Sequence, residues 1–491
     1  FTQGFGTPSI QLPDWLIAFY AEDSWKLTPR VTVNYGVRYD LDLQPQGYNN
    51  DLTNPIQAPL PKGIPRDYNN VSPRLAVAWG LDKSGRTVLR AGFGVFYDKI
   101  FLLVARNTLL ARSTLTLSAA ASPTQFLTGP YPQSTNYPTG TNVAQPTTNA
   151  IPPTLPIPSA EQADLYVDQA LSKDWSLEVG YVYVDGLHQL KASNVNLGPP
   201  TILTAANTSI CSCTPNFQQL GRPYYGNADR LNHAFNNIQE VGSWGHSRYD
   251  AMQASVVRRT SNNLTLRASW TWSKELDDAS DFTQAQQPDN PYNPHAERSL
   301  GNEDQRNRFA GSAVYKFPYY LRSGTRHSVA HWIFGDWVGS SIVSVFSGTP
   351  RAIVVGSDVN LDGNSSPDRP YINDLNGTNG GFIVKRNDFR GPRQQNVSIR
   401  LQKRLNFGEQ RQLEFSAEAF NTFNHANFSG VYTVWGTAAL PKGQLAANPP
   451  IIWGVPAGHT AAGIVETTTT FGAFTTANDP REVQLGIKLF F

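Results

Sequence analysis

The chain has 491 residues, and its 40 Lys and Arg nearly cancel its 38 Asp and Glu, leaving a formal net charge of +2. That balance, with no long basic run, gives nucleic acid little to hold, and 11% aromatic against 16% charged residues is unlike a disordered chain. Mean hydropathy is −0.37, and the longest clearly apolar run, Ile100 to Ala105, falls far short of the roughly 18 residues of a membrane helix; alternating strands can still cross a bilayer at so low an average.

Taken in chain order, the predicted elements are strands. Trp15–Trp25 is strand-like. Val31 to Leu43 then alternates cleanly, with Val31, Val33, Tyr35, Val37, Tyr39, Leu41 and Leu43 on one face and Thr32, Asn34, Gly36, Arg38, Asp40 and Asp42 on the other. Successive side chains of a strand point to opposite sides, so one face is apolar and the other wet. The run exceeds the five or six residues or so usual in soluble sheets and can cross a bilayer at a tilt. The same period recurs at 75–81, 89–97, 177–183, 264–272, 309–317 and 413–419, and 163–171, 247–260, 337–347 and 395–407 are less clean but strand-like.

Between these runs the connections alternate in length. Short turns are predicted at 27–30, 82–86, 172–174, 261–263 and 408–411, with a longer one near 318–331. Long loops rich in Pro, Gly, Asn, Thr and Ser are predicted at 44–70, 100–162, 191–246, 276–306, 349–393 and 429–480. Tight turns on one side and long loops on the other describe a meander barrel in an outer membrane, whereas structureless loops this long do not suit a compact soluble domain.

The fold expected is therefore all-β: an antiparallel transmembrane β-barrel, partial, with about thirteen C-terminal strands, short periplasmic turns and long extracellular loops. The expected location is the cell outer membrane. The sequence opens on Phe1, Met252 is its one methionine, and no signal peptide is visible. An upstream portion is expected, because bacterial single-chain barrels have even strand numbers.

The last ten residues are EVQLGIKLFF. Val483, Leu485, Ile487, Leu489 and Phe491 share one face, while Gln484, Gly486, Lys488 and Phe490 share the other. The polar Gln484, Gly486 two residues on, then Leu489 and the terminal Phe491 resemble the signal that the barrel assembly machinery reads in outer-membrane proteins. The plainer reading is an ordinary amphipathic last strand.

Several strings together resemble one family. They are YAEDSWKLTPRVTVNYGVRYD (20–40), NNVSPRLAVAWGLDKSGRTVLRAGFGVFYD (69–98), SRYDAMQASVVRR (247–259), SWTWSKELDD (269–278), ERSLGNEDQRNRF (297–309), DRPY (368–371) and EFSAEAFNTFNHANF (414–428). Their order is similar to the C-terminal barrel of Oar-like TonB-dependent receptors, over nearly the whole chain. The resemblance implies a large barrel, an internal plug and an N-terminal carboxypeptidase-regulatory-like domain, neither of the latter two lying in this chain. A barrel of about 22 strands would place about nine upstream. The wet residues Arg38, Arg90, Glu178, Arg267, Lys316, Glu414 and Glu418 would surround the plug.

One loop motif could carry chemistry. Asp358, Asn360 and Asp362 alternate before Gly363, with Asp368 beyond. Oxygen ligands at alternate positions followed by Gly resemble the first half of a calcium loop; no cofactor is expected beyond a weakly held structural Ca²⁺ that such a loop could take. The bidentate acid of the twelfth position is missing, because Arg369 stands there. The competing reading is a solvated loop of Asx-turns.

Other motifs favour structure. Gly92-Phe93-Gly94 lies within a strand and marks close approach rather than a dinucleotide site. Cys211 and Cys213 are too few for a disulfide framework and too sparse for zinc. The adjacent acids Asp277 and Asp278 read as loop-solvating residues rather than glycosidase carboxylates. Trp270, Trp272, Tyr315, Phe317, Tyr319 and Tyr320 suit membrane-interface girdles; Tyr131, Tyr137, Tyr224 and Tyr225 suit carbohydrate-stacking platforms in loops. No nucleophile elbow, HExxH or phosphate loop occurs, so no enzyme is expected. The resemblance implies a receptor that captures an extracellular ligand and imports it with energy from the TonB complex; the alternative is a structural or adhesive barrel without transport.

Overall fold

The computed structural model describes residues 2–6, 11–46, 63–120, 142–144, 147–204, 206–210, 221–226, 230–261, 263–282, 287–318, 329–356, 358–364, 368–373, 382–407, 411–434, 439–441 and 472–491. Cys211, Cys213, Tyr131, Tyr137, Tyr319, Tyr320 and most of the 408–411 turn lie outside these residues.

One antiparallel sheet dominates, with thirteen strands following each other in chain order. They are β1 (Trp15–Thr28), β2 (Val31–Leu43), β3 (Val71–Gly80), β4 (Thr87–Tyr97), β5 (Ser159–Ala170), β6 (Trp175–Asn194), β7 (Asn237–Ser261), β8 (Leu264–Asp277), β9 (Asn307–Lys316), β10 (Trp337–Phe346), β11 (Gln394–Phe407), β12 (Arg411–Phe420) and β13 (Glu482–Phe490). Two short strands, Thr147–Ala150 and Ser299–Leu300, attach beside β7 and β8. No helix among the described residues is long and apolar enough to cross a membrane; the strands have the length to do so.

Alternation puts the apolar rows outside. On β13, Val483, Leu485, Ile487 and Leu489 are 67%, 79%, 70% and 61% exposed. Across three strands, Tyr181, Met252 and Trp272 stand in register on the same outer face. Trp272 lies toward the long-loop end of the sheet, while Tyr315, opposite Leu264, and Phe317 lie toward the short-turn end. Aromatic residues thus border the apolar band at both ends, where amphipathic rings are stable at a membrane surface.

The inner face is charged and paired. Arg90 on β4 reaches Asp168 on β5 at 2.6 Å and Glu178 on β6 at 2.5 Å. Arg400 and Arg404 on β11 reach Glu414 on β12 at 3.3 and 3.0 Å, and Arg400 also meets Glu418 at 2.9 Å. Glycine allows close packing in this wall: a Cβ at Gly180 would collide with the Tyr166 ring on the neighbouring strand.

The sheet is open. Among the described residues, β1 and β13 each have one neighbour in it, so each presents an unpaired edge.

Two predicted loops prove shorter and more structured than expected. β6 runs on to Asn194 and β7 starts at Asn237, inside the loop predicted at 191–246. The loop predicted at 100–162 contains α1 (Leu102–Ser113). The reason is apolar burial. Ile64, Ile100, Val104, Ile151, Leu155 and Val241 are each at most 7% exposed and pack into one cluster at the long-loop end. A loop that contributes to a core of its own can hold regular elements there. The predicted turn near 318–331 likewise ends in α2 (Val329–Phe334).

Candidate functional site

The long-loop end carries the densest polar chemistry of the molecule. Asp289, in the loop after β8, is 1% exposed. It takes Arg222 at 3.3 Å and Arg369 at 3.2 Å. Arg369 also donates to Glu297 at 2.6 Å. Three loops remote in sequence are therefore joined through two buried carboxylates. Burial pushes the Glu297 carboxyl up, but the charge and hydrogen bond of Arg369, with Lys191, outweigh it and hold the group below its ordinary value.

The predicted calcium-loop residues are brought together beside this network. Asp358 accepts the N–H groups of Asp362 at 3.1 Å and Gly363 at 2.9 Å. Asn360 Oδ1 accepts the Asp362 N–H at 3.0 Å, while its Nδ2 donates to the Asp289 carbonyl at 3.1 Å. Asp362 accepts the Asn364 N–H at 2.7 Å. Gly363 has φ +91°, a backbone that suits glycine. Asp368, fully buried, accepts the Val359 N–H at 2.6 Å through Oδ2. Burial, with Asp358 and Asp289 nearby, pushes Asp362 up to about 8. Burial, then Asp289 and Asp362, pushes Asp368 well above the usual carboxylate range. Among the described residues, no three His, Cys, Asp or Glu side chains form a ready metal-binding group.

Other loop expectations are corrected. Asp277 and Asp278 do not solvate a loop: they are 2% and 3% exposed. Asp277 pairs with Arg386 and Asp278 with Arg298. Tyr224 and Tyr225 are buried too, so neither offers a ring face to a sugar; the Tyr225 hydroxyl donates to Asn290 at 2.9 Å. Under these loops lies a polar cavity of about 580 Å³ whose lining includes Gln287, Glu303, Arg351, Arg369 and Arg386.

The network of Arg222, Asp289, Glu297 and Arg369 was not predicted as a site. Its members are spread over more than a hundred residues, and no local pattern links them. Arg369 carried a signal only as the cation standing where a calcium loop has an acid and as part of the DRPY string, and neither points to Asp289 or Glu297.

The C-terminal signal residues occupy β13. Gln484 stands opposite Glu418 and Gly486 opposite Ser416, both on the inner face. Leu489 lies on the outer face, and Phe491 is 96% exposed just past the strand.

Residues 1–484 match the sequence model of the outer membrane beta barrel domain. The chain belongs to that family. Its place is the outer membrane, and its antiparallel sheet follows the chain-order meander of such a barrel. No curated protein matches the sequence.

Among solved structures, this barrel is similar to the outer membrane transporter YddB of Escherichia coli, with TM-score 0.43, 13% identity, and coverage of 86% of this chain and 42% of that one. It is similar to the ferripyoverdine receptor of Pseudomonas aeruginosa, with TM-score 0.48, 9% identity, and 99% and 40% coverage. It is also similar to the ferric-catecholate import receptor Fiu of E. coli, with TM-score 0.43, 10% identity, and 97% and 44% coverage. The chain spans less than half the length of each. The family assignment rests on the sequence match alone.

Proposed function

We propose that this barrel portion belongs to an Oar-like TonB-dependent receptor, which captures a scarce or large extracellular ligand and imports it. The observation that carries the reading is the pairing of two polar regions. A folded, ionic outer loop layer with a polar cavity sits over an inner wall lined with paired charges. The first suits capture of a polar ligand, and the second suits a hydrated plug filling the lumen. The open edges of β1 and β13 support further strands completing the wall, since unpaired backbone groups are not tolerated in lipid. Gln484, Gly486, Leu489 and Phe491 would engage the barrel assembly machinery, and the TonB complex would supply energy through parts beyond this chain.

The test is uptake and binding in cells lacking the gene, with and without collapse of the inner-membrane proton gradient. Energy-dependent uptake lost on deletion is expected. Surface attachment lost on deletion, with all uptake retained, would replace transport by an adhesive role.

A further inference from the structure

We propose that the outer face of β5 to β8, at its long-loop end, is a docking site for a phosphorylated glycolipid of the outer leaflet. The inference rests on the outer-membrane place of the wall and is independent of transport. Leu165 and Val167 on β5, Val179 and Tyr181 on β6, Met252 on β7 and Trp272 on β8 line an apolar groove of about 550 Å³. Tyr181 and Trp272 flank Met252 in one register row. Two rings therefore stand on either side of a flexible thioether, a shape that adapts to an acyl chain.

The next rows toward the loops are charged. Asp250 stands between Tyr183 and Lys274, and beyond it Arg248 stands between Asp185 and Leu276, all on the same outer face. Arg248 donates twice to Asp250, at 2.9 and 3.2 Å. Asp185 meets His246 at 2.8 Å. Both carboxylates thus have partners of their own. Lys274 lies in the field of Asp250 but forms no ion pair among the described residues, and neither does Arg306, which also lines the groove. Positive charge is left in excess just above an apolar groove, the arrangement that attracts an anionic headgroup. The Trp272 indole adds a donor. The N–H of Trp270 goes to Asn307 at 3.2 Å, whereas that of Trp272 has no acceptor among the described residues.

Position selects the lipid. Along the thirteen strands, alternation exposes no other Lys or Arg on the outer face at the long-loop end, among the described residues. Long loops face the cell exterior in such barrels, so groove and cations lie in the outer leaflet. The lipid of that leaflet is a glycolipid carrying phosphates beside its acyl chains. One chain would fill the groove, and a phosphate would sit against Lys274, Arg248 and the Trp272 N–H. A lysine stem suits this depth, lying on apolar surface while its ammonium reaches the headgroups.

The experiment uses the whole protein, extracted in mild detergent, stripped of lipid and titrated with bisphosphorylated lipid A under native mass spectrometry. Saturable binding is expected, and lipid A without its phosphates should bind at least about fivefold more weakly, the factor that one Lys or Arg contributes beside an anionic membrane surface. Lys274→Gln should raise the midpoint for the phosphorylated lipid by about the same fivefold. Met252→Trp, which fills the groove, should weaken both forms alike. Heat-modifiable gel migration verifies that each variant keeps its barrel. Equal binding of the two lipid forms by the unaltered protein overturns the proposal without any variant. A folded Lys274→Gln or Met252→Trp protein with an unchanged midpoint overturns it as well. Equally tight binding of phosphatidylglycerol overturns the choice of a glycolipid.

Discussion

The wall of the barrel and the layer of loops above it treat the same residue types in opposite ways. In the wall, Leu165 is 48% exposed, Leu485 79% and Ile487 70%. In the loop layer, Ile100, Ile151 and Leu155 are at most 3% exposed. The charges invert with them: Arg90 lines an open lumen, while Arg369 is buried among carboxylates. The difference is the solvent. Lipid covers the outside of the wall, so its apolar residues are satisfied by facing outward; water covers the loops, so theirs must face inward.

Four experiments would break or sharpen that contrast. Arg369→Ala should have the largest effect. It strands Asp289 and Glu297, and breaking a buried pair costs on the order of 3–5 kcal/mol. Hydrogen exchange should accelerate in the loops after β8 and β10 and stay unchanged in the sheet. Next, Leu165→Arg puts a charge on the outer face of β5 and should destabilise the barrel by about 2–4 kcal/mol if it lies near the midplane. Urea unfolding in phospholipid vesicles would read this, and a neutral result would mean that face does not meet lipid.

Acidification should act more gently, and on the loop layer through Glu297. The Glu297 carboxyl is held below its ordinary 4.5 in the fold. Its contribution is therefore complete above that value and is lost as pH falls through the lower folded one. Protease sensitivity of the loop layer should rise over that window, with heat-modifiable gel migration retained. The smallest effect belongs to Arg90→Ala on the inner wall. Its side chain is 47% exposed, and half-solvated pairs contribute no more than about 1 kcal/mol.

The same contrast explains what could be read from the sequence. In the wall each strand obeys a local rule, so all thirteen were legible in the sequence, with most ends a few residues off and the loop-side ends of β6 and β7 about ten residues short. Leu190 to Asn194 were missed because every one of them is buried, inner and outer faces alike, and the period vanishes. The loop layer obeys no local rule. Asp358 to Asp368 could be singled out because they are contiguous, but their neighbour Asp289 comes from another loop. Arg222, Glu297 and the Asp277–Arg386 pair meet only in three dimensions, and α1 is stabilised by contacts from distant segments.

The ladder between β6 and β7 slips twice, between Gly186 and Gln189 and again before Lys191. His188 is pushed to φ +54° at the same place. Such bulges bend a strand and reset the direction of its side chains. Below them the ribbon is two-faced; above them its β6 half, Leu190 to Asn194, is buried all round. The slip is thus a seam between two building codes written on one continuous hairpin. Grafting a different crown above Gly186, while leaving the staves below untouched, is the engineering route it opens.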